Sequence, residues 1–364
     1  MKKKESGIGL IDFILVILII IAVAAILYLS LNGYVTTDTQ KVAGENTINY
    51  SNTVKKTKKQ IENTEFNVNE LPNINYNNTY SATYGKFFYD QLNDNEKQMY
   101  SNIENNINSL KNGYRTFDIL ETKQNVQNSF QTAWDALCLD KPELFYIKTS
   151  NVVLLTQTTT TLFGGTTYKY SLTPTEGGSY FVDSWKSEEE VDAAIKKIKN
   201  ETDVILNNAK LQSNRYNTIK YVHDRIIDMC EYDQNRGIND SNIYGVFVDH
   251  TAVCEGYAEA FKYMMDKLQI PCVVVYGNGV NSSGNSEFHA WNEVMLDNNK
   301  WYAVDCTWDD PIMIGGGEAS EELKHKNFLK GSNTFFETHQ NEADVSGTGQ
   351  QFKYPKLSET DYNS

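Results

Sequence analysis

The sequence predicts an α+β fold, and three observations indicate it. The stretch EGYAEAFKYMMDKL, directly after Cys254, repeats apolar residues at the 3.6-residue period of a helix. Further along, FHAWNEVML and WYAVDCTW flank an Asp-Asn-Asn turn and predict a β-hairpin. Upstream, VVLLTQTTTTLF, a Gly-Gly turn and TTYKYSL predict a second hairpin. Helices and antiparallel hairpins grouped in this way are typical of the α+β class.

The remaining helices follow from apolar periodicity taken in chain order. Residues 84–112 are predicted to be helical, and SFQTAWDALC continues as a helix that ends before Pro142. Residues 188–210 and 215–232 form two polar, amphipathic patterns, and GEASEELKHKNFLK returns to helix after the second hairpin. The candidate core positions of the first helical stretch are Phe87, Phe88, Leu92, Met99 and Ile103.

Cys254 lies where a helix is predicted to begin. A thiol at a helix N-terminus faces unpaired backbone N–H groups and the positive end of the helix dipole. That environment favours the thiolate, which is the nucleophilic form of cysteine. Because a lone cysteine here is equally consistent with a small buried core residue, its function depends on its partners.

His289 and Asp305 lie on the two arms of the second predicted hairpin. If the turn has three residues, Leu296 pairs with Lys300, and Asp305 falls opposite Trp291 on the face that carries His289. The diagonal separation is then about 7–8 Å between backbones, within reach of long side chains. A two-residue Asn-Asn turn would place the two side chains on opposite faces. The hypothesis of a Cys-His-Asp set therefore needs the longer turn or a bulge.

These stretches resemble the bacterial transglutaminase-like family, which has a papain-related fold. The resemblance rests on VCEGYAEAFKYMM, HAWNEV and KWYAVDCTWDDP, with YVHDRIIDMCEYD before them and KNFLKGSNTFFETH after them. It covers residues 213–340 well and residues 85–150 more loosely. It implies a catalytic triad of Cys254, His289 and Asp305 that transfers an acyl group from an amide through a Cys thioester, with a protein or peptide as substrate.

The resemblance leaves the acyl acceptor open. An amine acceptor would give a cross-link, as the family name implies, whereas water would make the protein a cysteine peptidase or amidase. A non-catalytic binding or scaffold module on the same fold is a further alternative, and the intact triad argues against it. A subunit of a surface assembly is suggested only by the start of the chain.

The sequence identifies one of the two donors that an oxyanion hole is expected to have. The backbone N–H of Cys254 is one expected donor. Papain-like enzymes often carry a glutamine six residues before the cysteine, where this chain has Val248. Eukaryotic transglutaminases use an upstream tryptophan, and none lies between Trp185 and Cys254. Tyr244 is the candidate for the second donor.

Five segments are predicted along the chain. They are an N-terminal transmembrane anchor, a polar Asn/Thr-rich stalk, an N-terminal helical and β-hairpin region, the transglutaminase-like domain and a polar C-terminal tail, at residues 1–31, 32–80, 81–185, 186–340 and 341–364. The anchor is predicted from FILVILIIIAVAAILYL, which is close to the length that spans a bilayer.

Lysines before the apolar run predict that the N-terminus lies inside and the C-terminal domain outside the cell. The substrate would then lie at the cell surface or cell wall. Signal-peptide cleavage after Ala22-Val23-Ala24 is the competing interpretation, although ILYLSL follows where a cleaved signal would turn polar. A third is prepilin-like processing near Gly7, with Asp12 in place of the usual glutamate.

Charge and cysteine usage exclude other classes of function. The formal net charge is −14, which argues against nucleic acid as a partner. The five cysteines include no CxxC pair, so neither a thiolate zinc site nor another cofactor is predicted. Asp305, Asp309 and Asp310 lack the spacing of a calcium loop. His223 and Asp224 are neighbours in a helix, which do not normally face each other, so a structural role is predicted for them.

Overall fold

The computed structural model describes residues 34–43, 85–161, 165–233, 235, 237–280, 284–310, 319–341 and 352–363, together with Leu18 and Ile21. Two antiparallel four-stranded sheets, a short two-stranded parallel pair and a set of helices make up this part of the chain. The predicted apolar span lies outside the described residues, apart from Leu18 and Ile21. Within the ranges given above, no helix is both long and apolar enough to cross a bilayer.

The N-terminal half combines short helices with the first sheet. Helix α1 (Asp94–Asn105) begins at a capping box formed by Asn93 and Glu96. Helix α2 (Phe130–Asp140) packs against it and is followed by a 3₁₀ turn at Pro142–Leu144. The predicted core positions Phe88, Leu92, Met99 and Ile103 are all buried, and Phe87 is partly buried.

The first sheet has the strand order β1-β3-β4-β2, with bounds Tyr34–Ala43, Val152–Thr161, Gly165–Pro174 and Phe117–Thr122. Strands β3 and β4 form the predicted hairpin. Strand β1 lies within the segment predicted to be a solvated stalk, so that prediction is wrong for Tyr34–Ala43. The sequence YVTTDTQKVA is rich in β-branched residues, and pairing with the exposed edge of β3 gives its backbone groups partners.

The second half of the chain contains three long helices. They are α3 (Glu188–Ala209), α4 (Arg215–Met229) and α5 (Cys254–Lys267). A π-helical turn, Gly245–Asp249, lies between α4 and α5, flanked by a short parallel pair, β5 (Glu231–Tyr232) and β6 (Thr251–Ala252). One continuous hydrophobic core joins these helices to the N-terminal half, for example where Phe145 and Trp185 contact Tyr244.

The second sheet has the strand order β10-β7-β8-β9. Strand β7 (Cys272–Val280) lies between β10 (His339–Asn341) and β8 (Ser286–Met295), which pairs in turn with β9 (Trp301–Val304). Helix α5 packs against this sheet. Of the helix predicted over GEASEELKHKNFLK, the described part of the chain has only the short α6 (Glu321–Lys324). A second short helix, α7 (Ser332–Phe335), follows that stretch.

A second correction concerns the predicted polar C-terminal tail, because residues 352–363 pack against the core. Phe352, Tyr354 and Leu357 are buried, and the Tyr354 hydroxyl accepts a hydrogen bond from the Tyr276 backbone at 3.0 Å. Three apolar residues lie within this otherwise polar stretch. Phe352 and Tyr354 pack against Phe88, and Leu357 pairs with Trp301 at the start of β9.

Candidate active site

Cys254 is the first residue of α5, and the side chain of the preceding residue, Val253, caps nothing. The first N–H groups of a helix have no partner within it, so the N–H of Cys254 is free for a bound oxygen. The Cys254 side chain is nearly buried, with 9% exposed. Helix α5 buries Ala258, Phe261 and Met265 against the sheet, as the periodicity predicts, and this packing fixes the position of the sulfur.

The hairpin places His289 beside Asp305. The Leu296 N–H donates to the Lys300 carbonyl at 3.1 Å, so the turn has three residues, as the prediction requires. Asn299 occupies the left-handed conformation (φ 58°) that such turns use. His289 Nε2 lies 2.8 Å from Asp305 Oδ2.

The imidazole of His289 bridges the carboxylate and the thiol. Cys254 is also a hydrogen-bond partner of His289. Because Asp305 occupies Nε2, the nitrogen left for the sulfur is Nδ1. The structure therefore brings together all three residues that the sequence singled out.

Asp305 is fully buried and accepts four hydrogen bonds. Oδ1 accepts from the backbone N–H groups of Thr307 and Trp308 at 3.0 and 3.1 Å. Oδ2 faces His289 and also His339, whose Nε2 lies 3.2 Å away. A carboxylate bonded on both oxygens cannot rotate, so it fixes the plane of the imidazole beside it.

Electrostatics favour a charged imidazole–carboxylate pair. Burial alone would lower the pKa of His289, but the Asp305 carboxylate and the Cys254 thiol outweigh burial and raise this pKa to about 10. Burial alone would raise the pKa of Asp305, but the charges and hydrogen bonds of His289 and His339 outweigh it and hold that pKa below its usual range. At neutral pH the pair is an imidazolium and a carboxylate.

Two residues of the site were missed in the sequence. His339 had no partner that the sequence could supply, yet it is buried, bonded to Asp305 and stacked on Phe335 at 3.8 Å between ring centroids. Trp308 covers His289, with ring centroids 4.9 Å apart. Gly279 permits this, since a Cβ there would lie 2.7 Å from the Trp308 ring. The one available signal was an aromatic residue three positions after Asp305.

Several other candidates lie away from the reacting groups. The Tyr244 hydroxyl is 3.3 Å from Lys197 Nζ, and its ring packs against Phe145 and Trp185, a setting that gives no support to an oxyanion role. Asn292, a polar residue of β8 on the second hairpin, donates to the backbone carbonyls of Ala258 and Val273 and so ties α5 to the sheet.

The carboxylates of Asp305, Asp309 and Asp310 do not converge on one point. Asp305 bonds the two histidines, whereas Asp309 accepts from the backbone and side chain of Asn327. The Asp310 carboxylate accepts from the Tyr257 hydroxyl at 2.6 Å. Each of the three carboxylates therefore has its own partners.

One structural expectation is wrong: adjacent His223 and Asp224 do contact each other, with 3.0 Å between Nδ1 and Oδ1. The side chains of successive helical residues diverge by about 100°, but a histidine ring is long enough to turn back to its neighbour. His325 Nε2 reaches the same Asp224 oxygen at 2.7 Å. These three residues form a second cluster, distinct from the Cys254 site.

Comparison with known protein families finds a match to part of this chain. The model of the transglutaminase-like superfamily matches residues 205–306, which contain Cys254, His289 and Asp305. No curated protein matches the chain. Residues 205–306 therefore form a transglutaminase-like core of mixed helix and sheet.

Among solved structures, the chain is similar to one described as a TGase, with 19% identity and a TM-score of 0.31. That match covers 56% of this chain and 54% of the other, so the chain spans about half the length of this structure. It is also similar to the periplasmic domain of TgpA from Pseudomonas aeruginosa bound to ethylmercury, with 16% identity and a TM-score of 0.25. There the match covers 43% of this chain and 71% of the other.

Proposed function

We propose that this protein is a cysteine acyltransferase that acts on amide groups of proteins or peptides through a thioester on Cys254. The observation that supports it best is the contact of one imidazole with both a helix-start thiol and a buried carboxylate. A thiol, a base and an orienting acid in this order are the parts that nucleophilic catalysis at an amide requires.

The proposed reaction has two halves. His289 starts protonated on Nδ1 as well as Nε2, and the sulfur attacks the amide carbonyl carbon as the thiolate. The oxyanion that forms is stabilised by the Cys254 N–H. When the C–N bond breaks, the leaving amine takes the proton from His289, and a thioester remains. An acceptor then gives its proton to His289 and attacks the thioester, which returns Cys254 to its starting state.

Asp305 has a supporting part in this scheme. It holds the Nε2–H tautomer of His289, so that Nδ1 is the nitrogen that exchanges the proton, and it stabilises the imidazolium. The pKa of His289, about 10, means that the protonated ring is the resting form at neutral pH. A protonated ring beside the sulfur favours the thiolate.

The acceptor decides between two activities. An amine would give transamidation, the reaction that a TGase-like site suggests. Water would give hydrolysis by a cysteine peptidase or amidase, and the triad is the same for both. We favour the amine because the family match is to the transglutaminase-like superfamily. A non-catalytic scaffold is disfavoured by the complete triad.

The experiment compares three full-length proteins purified in detergent: the wild type, Cys254→Ala and, as the matched control, Cys138→Ala. Each is incubated with a glutamine-containing protein and a biotinylated primary amine. Amine incorporation and ammonia release are measured together, and intact-mass spectra record any acyl adduct on Cys254. We expect incorporation in the wild type and Cys138→Ala, and none in Cys254→Ala.

The possible outcomes separate the alternatives. Ammonia release or peptide cleavage without amine incorporation, lost in Cys254→Ala, would assign hydrolysis instead. If no acyl adduct forms on Cys254 with any amide donor, acyl transfer is wrong and the scaffold alternative gains support.

The proposed location is the outer face of a membrane. Its support is in the sequence, where lysines precede the apolar run of residues 13–29. In that arrangement the N-terminus lies inside, the apolar run anchors the protein, and the core meets substrates at the cell surface or cell wall.

A further inference from the structure

The second histidine cluster joins two parts of the chain that are about a hundred residues apart. His223 lies within α4, and His325 follows directly after α6. Their nitrogens converge on one atom, because Asp224 Oδ1 lies 3.0 Å from His223 Nδ1 and 2.7 Å from His325 Nε2. The three ligand atoms all lie within 4.8 Å of one another.

On each of the three side chains, the polar atom that faces away from the cluster has a partner of its own. His223 Nε2 lies 3.2 Å from an oxygen of Asp309, and His325 Nδ1 lies 2.7 Å from the Glu321 backbone carbonyl. Asp224 Oδ2 accepts from Lys220 at 2.6 Å. Metal-binding histidines almost always bond a carboxylate or a backbone carbonyl through their other nitrogen. Both histidines here have that outer partner.

From this geometry we propose that His223 Nδ1, Asp224 Oδ1 and His325 Nε2 form a Zn²⁺-binding site. Two imidazoles and a carboxylate are a ligand set that Zn²⁺ accepts, with a fourth position left for water. Bonds of about 2.1 Å in a tetrahedron separate the ligand atoms by about 3.4 Å. The spacings of 3.0 and 2.7 Å from Asp224 Oδ1 to the two nitrogens would therefore need to open by about 0.4 and 0.7 Å.

The surroundings suit a cation at this point. His223 is fully buried, whereas Asp224 and His325 are partly exposed and leave a path from solvent. Phe328 packs against both imidazole rings and forms an apolar wall.

An ion here would be linked to the Cys254 site through Asp309. That residue bonds His223 with one oxygen and Asn327 with the other, and its N–H donates to the Asp305 carbonyl at 3.1 Å. Zinc would therefore tie α4 and the segment around Asn327 to the loop that carries Asp305. We assign the ion a structural role, and this inference does not depend on the acyl-transfer proposal.

The test is zinc binding by the full-length protein in detergent, stripped of metal with a chelator and then dialysed. Binding is followed by calorimetric titration with Zn²⁺, and the melting temperature is measured with and without the metal. We expect about one ion per chain and a higher melting temperature in zinc. His325→Ala should weaken binding at least about 10-fold and remove the thermal shift. His250→Ala, at an exposed histidine, is the matched control and should behave as wild type.

Two further measurements distinguish this site from the Cys254 site and remain valid if His325→Ala does not fold. His289, Asp305 and His339 also converge, so the titration is repeated in His339→Ala and Cys254→Ala, where the proposal requires unchanged binding. Co²⁺ bound to the wild type should show ligand-field bands without a thiolate charge-transfer band. No binding by the wild type, unchanged binding in a folded His325→Ala, loss in Cys254→Ala or His339→Ala, or a thiolate band would each overturn the proposal.

Discussion

His339 Nε2 lies 3.2 Å from Asp305 Oδ2, the same oxygen that His289 Nε2 approaches to 2.8 Å. One buried carboxylate thus orients two imidazoles, of which only His289 also contacts the thiol. His339 is itself held by the Phe335 carbonyl at 3.3 Å and by stacking on the Phe335 ring. Asp305 Oδ2 is therefore held by a second imidazole in addition to its proposed catalytic partner.

The first prediction concerns thiol reactivity. Iodoacetamide should alkylate Cys254 before the other four cysteines, because burial raises the pKa of each of the others, to about 12 for Cys230. Peptide mapping by mass spectrometry after short exposures measures the order. His289→Ala should slow labelling of Cys254. Faster labelling of Cys138 or Cys230 would show that the nucleophile is assigned wrongly.

The second prediction concerns Asp305→Asn. An amide that keeps its oxygen toward the backbone N–H groups of Thr307 and Trp308 turns its NH₂ toward His289 and favours the wrong imidazole tautomer. In other triads this change costs up to about 10⁴-fold in turnover. Thioester formation should fall to a similar degree in protein that still melts cooperatively. Wild-type rates in the folded variant would reduce the site to a Cys-His pair.

The third prediction tests His339 as a positioning residue. Removing a hydrogen bond to a charged group costs about 1.5–3 kcal/mol, so His339→Ala should lower turnover by about 10–100-fold. His339→Gln keeps a donor and should recover part of the rate. The measurement is the pH profile of turnover, which would not change if His339 were purely structural. In His339→Ala we expect the alkaline limb of this profile to shift. An unshifted profile, with loss of stability only, would assign His339 to packing.

The fourth prediction concerns Glu293, which lies on the same face of β8 as His289. It is fully buried, and neither of its oxygens has a hydrogen-bond partner in good geometry. Burial raises the pKa of Glu293 to about 8, with the Asn341 side chain offsetting only part of the effect. The unfolded chain then loses this proton first, so stability falls as pH rises from about 4.5 to about 8.

Glu293→Gln removes that titration. The variant should match the wild type near pH 4 and become more stable at pH 9, by on the order of a few kcal/mol. Denaturant unfolding at the two pH values measures the difference. Glu287→Gln, at an exposed position of the same strand, is the control and should show no such gain. An equal effect of Glu293→Gln at both pH values would mean that Glu293 is not buried as a neutral acid.

The fifth prediction concerns topology. Protease added to intact cells that express the protein should digest the part beyond residue 31, because the apolar run is proposed to place it outside. Immunoblotting against the core and against a cytoplasmic marker measures this. Complete protection of the core until lysis would refute the outward orientation.

Local patterns predicted much of the fold because they depend on neighbouring residues. The α5 face and the Val152–Pro174 hairpin follow from periodicity and turn chemistry. The sequence left two lengths open for the turn between Leu296 and Lys300, and the structure has the three-residue turn. The turn matters most, since its length puts Asp305 on the face of His289. Arg215 Nε lies 2.9 Å from Asp297 Oδ1 and stabilises this turn. The sequence does not predict that contact.

What the sequence did not reveal depends on long-range packing. His339 reaches Asp305 because β10 adds to the edge of β7, a pairing of three residues with no periodic signal. Strand β1 lies far along the chain from its partner β3, inside a polar stretch. The contact between His223 and Asp224 required a side-chain rotamer, which helical spacing alone does not specify.

The docked tail has a consequence for how quickly the protein folds. Gln91 exchanges two hydrogen bonds with the backbone of Lys353, and the two residues are 262 positions apart. Closing so long a loop is entropically unfavourable, so we expect this contact to form late and folding to be slow. Until then, Phe88 lacks the cover of Phe352 and Tyr354. An intermediate with that surface open is prone to aggregate, and refolding yield should therefore fall as protein concentration rises.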